Sequence, residues 1–361
     1  RNRKSMGIKV LNLLAAGLLV AALVLGCNTN VSNGGEVQPP TPPVTDGYTV
    51  TMSAGVNGSI TANPVIPAGG KVAKDTEITF TATANPGYRV DTWTVTPAEA
   101  LIADGQQGDA TAKVKVTANT IVNVTFKPIV YTQVSYDNLH NHLANEQPET
   151  NGIYYIEVTG LTAPDVTGNY NSDRTSPLGQ ILNSNRQKKV ALKFGTMPYV
   201  KYMSYCFNGC TSLVQVSNIP DGVRSMDSCF KGCTSLVQVP NIPNSVTNMG
   251  SCFDGCTELE RVPNIPDGVW NMGSCFKGCT SLVQVSNIPN SVTNMGGCFY
   301  GCTSLTSVTL KCRYKTQFNY AFYGCSSLSV GSIKVPADSL DDYKDNADEM
   351  KAKAEWFAKD E

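Results

Sequence analysis

The strongest constraint on this chain is a repeat of 23 residues that begins with the pattern CFxGC. The stretch CFKGCTSLVQV starts at Cys229 and returns unchanged at Cys275. Close relatives of it start at Cys206, Cys252, Cys298 and Ala321. Fixed apolar positions at a period of about 20 to 30 residues are typical of solenoids, in which each unit buries its apolar side chains against its neighbours. The sequence therefore predicts a solenoid whose equivalent residues lie about 4.8 Å apart along the axis.

Positions that change in charge and size between copies predict the surface of this solenoid. We call the residues at one position of successive repeats a column. One variable column holds Asn208, Lys231, Asp254, Lys277 and Tyr300, and another holds Arg224, Thr247, Trp270 and Thr293. Trp270 stands out because exposed Trp, Tyr and Arg dominate binding energy at interfaces. Together with Asp254, Glu258 and Arg261, it is the candidate partner-binding site.

The paired cysteines predict a buried structural column. Ala321 replaces Cys at the first position of the last copy, so a small apolar residue fits there, and a thiol behaves as one. A disulfide within a pair is awkward, because Cβ atoms at i and i+4 of a helical turn lie about 5 to 6 Å apart and a bridge needs roughly 3.5 to 4.5 Å. Two alternatives stay open: disulfides between repeats, which an exported location permits, and metal or redox sites built from adjacent pairs. The residues concerned are Cys206, Cys210, Cys229, Cys233, Cys252, Cys256, Cys275, Cys279, Cys298, Cys302 and Cys325.

Charge and residue inventory argue against several classes of function. Lys and Arg number 28 against 29 Asp and Glu, so no net field attracts nucleic acid. His140 and His142 are the two histidines, and on a helix residues i and i+2 point to different faces. No Gly-rich phosphate loop accompanies them, and no histidine stands near a nucleophile. The sequence therefore predicts a protein that is not an enzyme and that uses neither a cofactor nor a metal.

The amino-terminal region predicts export and a lipid anchor. Basic residues precede an apolar run from Val10 to Gly26, which is the layout of a signal peptide over residues 1–26. The sequence Val24-Leu25-Gly26-Cys27 resembles a bacterial lipobox, and this resemblance implies that Cys27 is acylated and holds the protein at the outer membrane or cell surface. An uncleaved membrane anchor is the alternative. Residues 27–47 are rich in Pro and Asn and predict an extended tether.

Residues 48–128 predict a first folded domain. Alternation of apolar and polar residues begins at Tyr48 and indicates half-buried strands, with Trp93 in the core. The stretches TEITFTATANPGYRVDTW and NTIVNVTF resemble the divergent internalin B-type repeat of bacterial surface proteins. This resemblance implies a small β-grasp-like spacer module.

Residues 129–205 predict an N-terminal cap for the solenoid, built as helix, strand, helix and strand. The helices are expected at 137–145 and 177–185, and the strands at 152–158 and 189–194. At the other end, residues 336–361 predict a charged helical cap, with a bond between Ser339 and Asp342 at the start of its helix.

The repeats over 206–335 resemble the BspA-like, or Treponema-type, leucine-rich repeats, whose pattern reads AFxGCxSLxxVxIPxxV. The similarity runs from Tyr136 to about Tyr343. It implies a fold that is mostly β, with short helical caps, and a lipid-anchored, adhesin-like surface protein. Its partner would be a protein or glycan of host matrix or of other bacteria. The alternative function is a thiol-rich metal-binding or redox protein.

Overall fold

The computed structural model describes residues 47–85, 87–169, 174–239, 241–262 and 264–360. The predicted signal peptide, Cys27 and all but the last residue of the predicted tether lie outside the described residues. No helix among the described residues is long and apolar enough to cross a membrane.

The N-terminal part consists of two four-stranded sheets that enclose one core. The strands are β1 (Tyr48–Ala54), β2 (Gly58–Asn63), β3 (Lys71–Val72), β4 (Glu77–Ala84), β5 (Tyr88–Thr96), β6 (Leu101–Asp104), β7 (Thr111–Lys115) and β8 (Thr120–Pro128). Their orders are β3-β1-β8-β5 and β2-β4-β7-β6, with β1 and β8 parallel. Phe80, Trp93 and Val122 are buried between the sheets, so the prediction of a core Trp93 is confirmed. The Trp93 indole also donates a hydrogen bond to the Asp109 carbonyl at 2.8 Å, which satisfies its only donor.

The next segment follows the predicted order of elements. Its elements are β9 (Thr132–Ser135), α1 (Tyr136–Asn145), β10 (Ile153–Thr159), α2 (Pro177–Asn183) and β11 (Lys189–Phe194). The four predicted elements are thereby confirmed to within about two residues. Helix α2 begins where predicted because the Ser176 hydroxyl accepts a hydrogen bond from the Gly179 N–H at 3.0 Å and Pro177 occupies the first turn. With β12 (Leu213–Val216), the strands form a parallel sheet of order β12-β11-β10-β9.

The CFxGC segments form turns that stack on one another. The Phe253 N–H donates a hydrogen bond to the Cys275 carbonyl of the next repeat at 2.8 Å, and equivalent bonds join the other copies. The phenylalanine rings are buried and stack with centroids 5.4 to 5.6 Å apart. Gly232 has a φ of +71° in this turn, and a Cβ there would lie 3.6 Å from the Cα of Gly209. The left-handed backbone explains why every copy keeps glycine at this position, since a Cβ at 3.6 Å would be only in ordinary contact.

A second parallel sheet closes the other end of the repeats. Its strands are β13 (Gln284–Ile288), β14 (Ser307–Leu310), β15 (Ile333–Val335) and β16 (Phe357–Lys359). Between β12 and β13, on the face of the repeats that carries these two sheets, the described residues form isolated β-bridges instead of strands. These bridges join Gln215 with Gln238 and Arg261 with Gln284.

The C-terminal tail differs from the predicted helical cap over 336–361. Only Leu340–Asp345 forms an α-helix (α3), and the chain then turns and adds β16 to the sheet. The physical reason is the burial of Phe357, whose ring packs against Phe322 and Tyr343. The predicted cap bond of Ser339 to Asp342 is wrong, because the Ser339 hydroxyl instead accepts a hydrogen bond from the Tyr314 N–H at 3.3 Å.

Candidate partner-binding surface

The cysteine columns lie inside the repeats. All twelve cysteines among the described residues are free and buried. From the second repeat onward, the cysteine at the second of the two cysteine positions donates its S–H to the carbonyl of a phenylalanine in the preceding part of the repeat array, whereas the Cys210 thiol donates to the Gly179 carbonyl at 3.5 Å. The Sγ–O distance is 3.1 Å from Cys233 to Phe207 and 3.1 Å from Cys256 to Phe230, and the same bond recurs from Cys279 through Cys325. The thiols therefore fill the core and satisfy carbonyl groups that face it.

The chemical environment of these thiols keeps them protonated. Burial raises the pKa of Cys325 from 9.0 to about 12, and it raises the pKa of Cys256 and Cys275 further. Metal ligation and thiol exchange both require the thiolate. Among the described residues, no group of three or more His, Cys, Asp or Glu side chains is placed to hold a metal ion. The metal-binding alternative therefore has no support in the structure.

An asparagine column runs beside the variable column that contains Trp270. The Asn271 Nδ2 donates to the Asn248 Oδ1 at 2.8 Å, and the Asn294 Nδ2 donates to the Asn271 Oδ1 at 2.9 Å. The Asn271 Oδ1 also accepts from the Gly273 N–H at 3.1 Å. These half-buried amides hold the backbone of successive repeats in register. They therefore also fix the orientation of the residue that precedes each asparagine, such as Trp270 before Asn271.

Trp270 points outward from this framework. The main-chain N–H of Trp270 donates a hydrogen bond to the Thr247 carbonyl at 3.0 Å, and its main-chain carbonyl accepts one from the Thr293 N–H at 2.9 Å. The backbone of Trp270 is therefore bonded to the repeats on both sides. The side chain is 48% exposed. The predicted exposure of Trp270 is confirmed, and its role in binding stays a prediction.

Asp254 belongs to a different column, which is linked by charge and ring contacts. Its carboxylate lies 3.9 Å from the Lys231 ammonium, and Lys277 also attracts it. Burial nevertheless raises the pKa of Asp254 above its ordinary value. Further along the column, the Lys277 ammonium lies 5.7 Å from the ring centre of Tyr300. The structure therefore gives Asp254 partners within its own column.

Arg261 lies between two open hollows on the strand face. One has a volume of about 630 Å³ and the other about 680 Å³, and Arg261 with Val262 lines both. Glu260 lines only the second hollow, and Trp270 lines neither. Glu258 is exposed in the same repeat. Of the four predicted contact residues, the structure thus places Arg261 at the hollows and Trp270 in a separate column.

The sequence reasoning did not predict these hollows. The participation of Gly87, which lines the first hollow, has no signal in the repeat pattern. It depends on how the N-terminal sheets meet the repeats.

Comparison with known proteins agrees with this architecture. Residues 48–130 match the divergent InlB B-repeat domain, and residues 198–274 and 263–347 match the BspA type leucine rich repeat region, with 6 copies. The matched part of the chain over residues 198–347 is therefore a leucine-rich repeat region of the BspA type, built from strands with few helices. A divergent InlB B-repeat domain precedes it at residues 48–130.

Two solved structures are similar to part of the chain. A leucine-rich repeat protein from Bacteroides ovatus ATCC 8483 is 28% identical, with a TM-score of 0.29, over 40% of this chain and 35% of its own. The Leucine Rich Repeat protein of T. pallidum is 27% identical, with a TM-score of 0.32, over 41% of this chain and 72% of its own. No curated protein matches the sequence.

Proposed function

We propose that this protein is a lipid-anchored, adhesin-like protein of the bacterial surface that binds a protein partner through a solenoid of 23-residue repeats. Leucine-rich repeats are interaction modules, because stacking produces an extended surface on which single positions vary while the core stays constant. The repeat match and the variable columns support binding as the activity. A host matrix protein or a protein of another bacterium is the expected class of partner.

The observation that carries this proposal is the exposed indole of Trp270. Its column holds Arg224, Thr247 and Thr293 in the other repeats, so an aromatic ring is not needed to build the repeat. Nearly half of the Trp270 surface is exposed to water in the free protein. Burial of this large apolar surface by a partner would contribute strongly to the binding energy. We infer that Trp270 anchors the partner.

The test measures binding of purified protein to an immobilised panel of matrix proteins and of bacterial surface proteins. Trp270→Ala should weaken binding to the positive panel member at least tenfold, since central aromatic residues contribute about 2 kcal/mol or more. Thr293→Ala, at an exposed position in the same column, is the matched control and should bind normally. Equal affinity of the Trp270→Ala variant would move the binding site elsewhere.

The anchor is a separate proposal that depends on Cys27. If its thiol carries the lipid, Cys27→Ser should shift the protein from the membrane fraction to the soluble fraction or block its processing. The conservative Ser32→Ala variant in the tether should stay with the membrane. Unchanged membrane association of the Cys27 variant would contradict a lipobox.

We also propose that the InlB-type domain acts as a β-grasp-like spacer between anchor and repeats. The support for this description is the parallel pairing of β1 with β8, the first and last strands of the domain, in the middle of one sheet.

A further inference from the structure

One continuous ladder of main-chain hydrogen bonds joins the column of Trp270 to the cap. The N–H groups of Arg224, Thr247 and Trp270 each donate to the carbonyl of the equivalent residue one repeat earlier, at 2.8, 2.9 and 3.0 Å. For Arg224 that equivalent residue is Lys201, which precedes the first CFxGC copy. The structure therefore adds Lys201 to the column that holds Arg224, Thr247 and Trp270.

Lys201 and Arg224 are exposed neighbours of like charge. Their main chains are bonded directly, and equivalent residues of adjacent repeats lie about 4.8 Å apart. Like charges directly opposite each other on neighbouring strands destabilise a sheet. Among the described residues, neither side chain forms an ion pair with a carboxylate. The two positive charges are thus open to an anionic group from outside the molecule.

Charges in the column of Asp254 are arranged differently. There Asp254 stands between Lys231 and Lys277, and its carboxylate lies 3.9 Å from the Lys231 ammonium. Alternation of opposite charges is therefore compatible with the stacking of these repeats. The column of Trp270, in contrast, has no acidic member in any repeat. Its positive charge is a property of that column and not of the repeat as such.

Exposed aromatic rings accompany the two cations. Tyr202 is 48% exposed, and the Lys201 ammonium lies 5.0 Å from the centre of its ring. Tyr199 is 67% exposed, and its ring lies over Gly222, where a Cβ would meet the ring at 2.5 Å. Glycine at that position leaves room for the ring. The basic pair is therefore accompanied by apolar ring surface in contact with water.

The basic pair and Trp270 form one surface. Trp270 lies two repeats beyond Arg224, which is roughly 10 Å along the axis at about 4.8 Å per repeat. A stable protein interface covers about 800 Å² on each partner, so a single partner can contact both. A uniform polyanion, such as a sulfated glycan, would gain from a cation in every repeat, but the cations stop after Arg224 and an indole follows. This distribution favours a protein surface on which acidic side chains stand beside an apolar one.

We propose that the surface of this column from Lys201 to Trp270 binds an acidic segment of a protein partner. Carboxylates of the segment contact Lys201 and Arg224, and an apolar side chain packs on the Trp270 indole. The proposal rests on the proposed function, because it names the chemistry of the partner that Trp270 anchors. The Arg224 guanidinium can bind a carboxylate through two parallel hydrogen bonds, and the Lys201 ammonium adds a point charge beside it. An extended segment advances about 3.3 Å per residue, so about three residues cover the distance from Arg224 to Trp270.

The experiment measures binding of the whole protein to immobilised synthetic peptides of glycine and serine that carry a pair of glutamates and one phenylalanine. The spacing between the glutamate pair and the phenylalanine varies over roughly one to eight residues, which spans about 3 to 26 Å. Wild type should bind most tightly near a spacing of about three residues, and binding should weaken as salt is added. The double variant Lys201→Gln/Arg224→Gln should bind the best peptide at least about tenfold more weakly.

Two exchanges test the contacts one at a time. Lys201→Glu/Arg224→Glu should lose the glutamate peptides and bind peptides in which lysines replace the glutamates. Trp270→Ala should weaken binding of the phenylalanine peptides but leave unchanged the binding of peptides in which alanine replaces phenylalanine. A role of these residues in folding alone would produce neither exchange.

A matched control removes the same number of charges outside the column. Arg186 and Lys189 are exposed basic residues of the cap. The double variant Arg186→Gln/Lys189→Gln should bind the peptides as wild type does. Circular dichroism during urea unfolding should give midpoints close to wild type for both glutamine double variants, because all four changes are at exposed positions.

Several results overturn the proposal. Equal affinity of wild type and Lys201→Gln/Arg224→Gln does so, and so does the failure of every peptide in the set to bind. Heparin is the probe for the other class of partner, a polyanionic glycan. Heparin binding that depends on Lys201 and Arg224 but not on Trp270, together with weak binding of the peptides, would assign the two cations to a glycan and overturn the acidic protein segment.

These outcomes are distinguishable from failure of the proposed function. If a panel protein binds through Trp270 and keeps its affinity for Lys201→Gln/Arg224→Gln, the binding function stands and the acidic segment is wrong. If the peptides depend on both cations and on Trp270 while no panel protein binds, the acidic segment is correct and the expected class of partner is wrong.

Discussion

Removal of one ring from the phenylalanine column gives the most direct test of how the repeats are held together. Phe253 is fully buried, and its ring stacks between those of Phe230 at 5.5 Å and Phe276 at 5.6 Å, with interplanar angles of 2° and 1°. The change Phe253→Ala therefore removes apolar area and two ring contacts in the centre of the repeat array. The rings above and below lie on separate repeats that cannot close the gap without breaking backbone bonds between repeats.

The expected cost follows from these contacts. Burial of a Phe side chain contributes about 1.5 to 3 kcal/mol, and each ring contact adds about 0.5 to 1.5 kcal/mol. The result agrees with the roughly 3 to 5 kcal/mol that Phe→Ala changes cost in protein cores. Phe253→Leu should cost less, because leucine fills more of the same space.

Urea unfolding followed by circular dichroism measures this cost as a lower midpoint. Trp270→Ala is the matched control, since it also removes an aromatic ring from the repeats but at an exposed position, and its midpoint should stay close to that of wild type. A Phe253→Ala midpoint within error of wild type would refute the view that the stacked rings hold neighbouring repeats together.

Further predictions concern the thiols and the asparagine column. In the folded protein Ellman's reagent should leave the twelve buried thiols unmodified, and it should detect them after unfolding; fast reaction in the folded state contradicts their burial. Burial raises the folded-state pKa of thiols such as Cys256 and Cys325, so the folded state retains protons that the unfolded state loses above about pH 9.0. Stability should therefore fall as pH rises above 9.0, by up to about 1.4 kcal/mol per pH unit for each such thiol, and a flat profile between pH 8 and about 10.5 would contradict this. Cys256→Ala should make the decline shallower. Asn271→Ala loses three hydrogen bonds and should cost about 2 to 3 kcal/mol in urea unfolding, whereas Asn264→Ala, at an exposed position, should cost little; equal midpoints would show that the amide column carries no stability.

Much of the repeat interior could be predicted from the sequence because each buried position recurs every 23 residues. The phenylalanines, the paired cysteines and the leucines of each copy are buried, as their constancy between copies indicated. Periodicity also located α1, β10, α2 and β11, whose apolar faces are local patterns. The exposed position of Trp270 followed in the same way, from its variation within a column.

The candidate site could be predicted only in part, because its residues belong to different columns and different parts of the chain. Asp254 and Trp270 looked like neighbours in one distinctive repeat, but backbone direction places them in separate columns with separate partners. The charge of Arg261 marks it as a candidate contact in the sequence, whereas each of the two hollows beside it depends on how three repeats stack.

The sequence by itself determined that the chain stacks identical units around a column of rings and thiols, because no single unit can bury its own apolar residues. The conformation of the C-terminal tail and the packing of the N-terminal part were determined only by tertiary contacts. The tail forms a strand whose Phe357 packs against Phe322 of the last repeat, and in the N-terminal part Arg89 pairs with Glu149, 60 residues away. Contacts at such separations leave no period in the sequence, since each is made once.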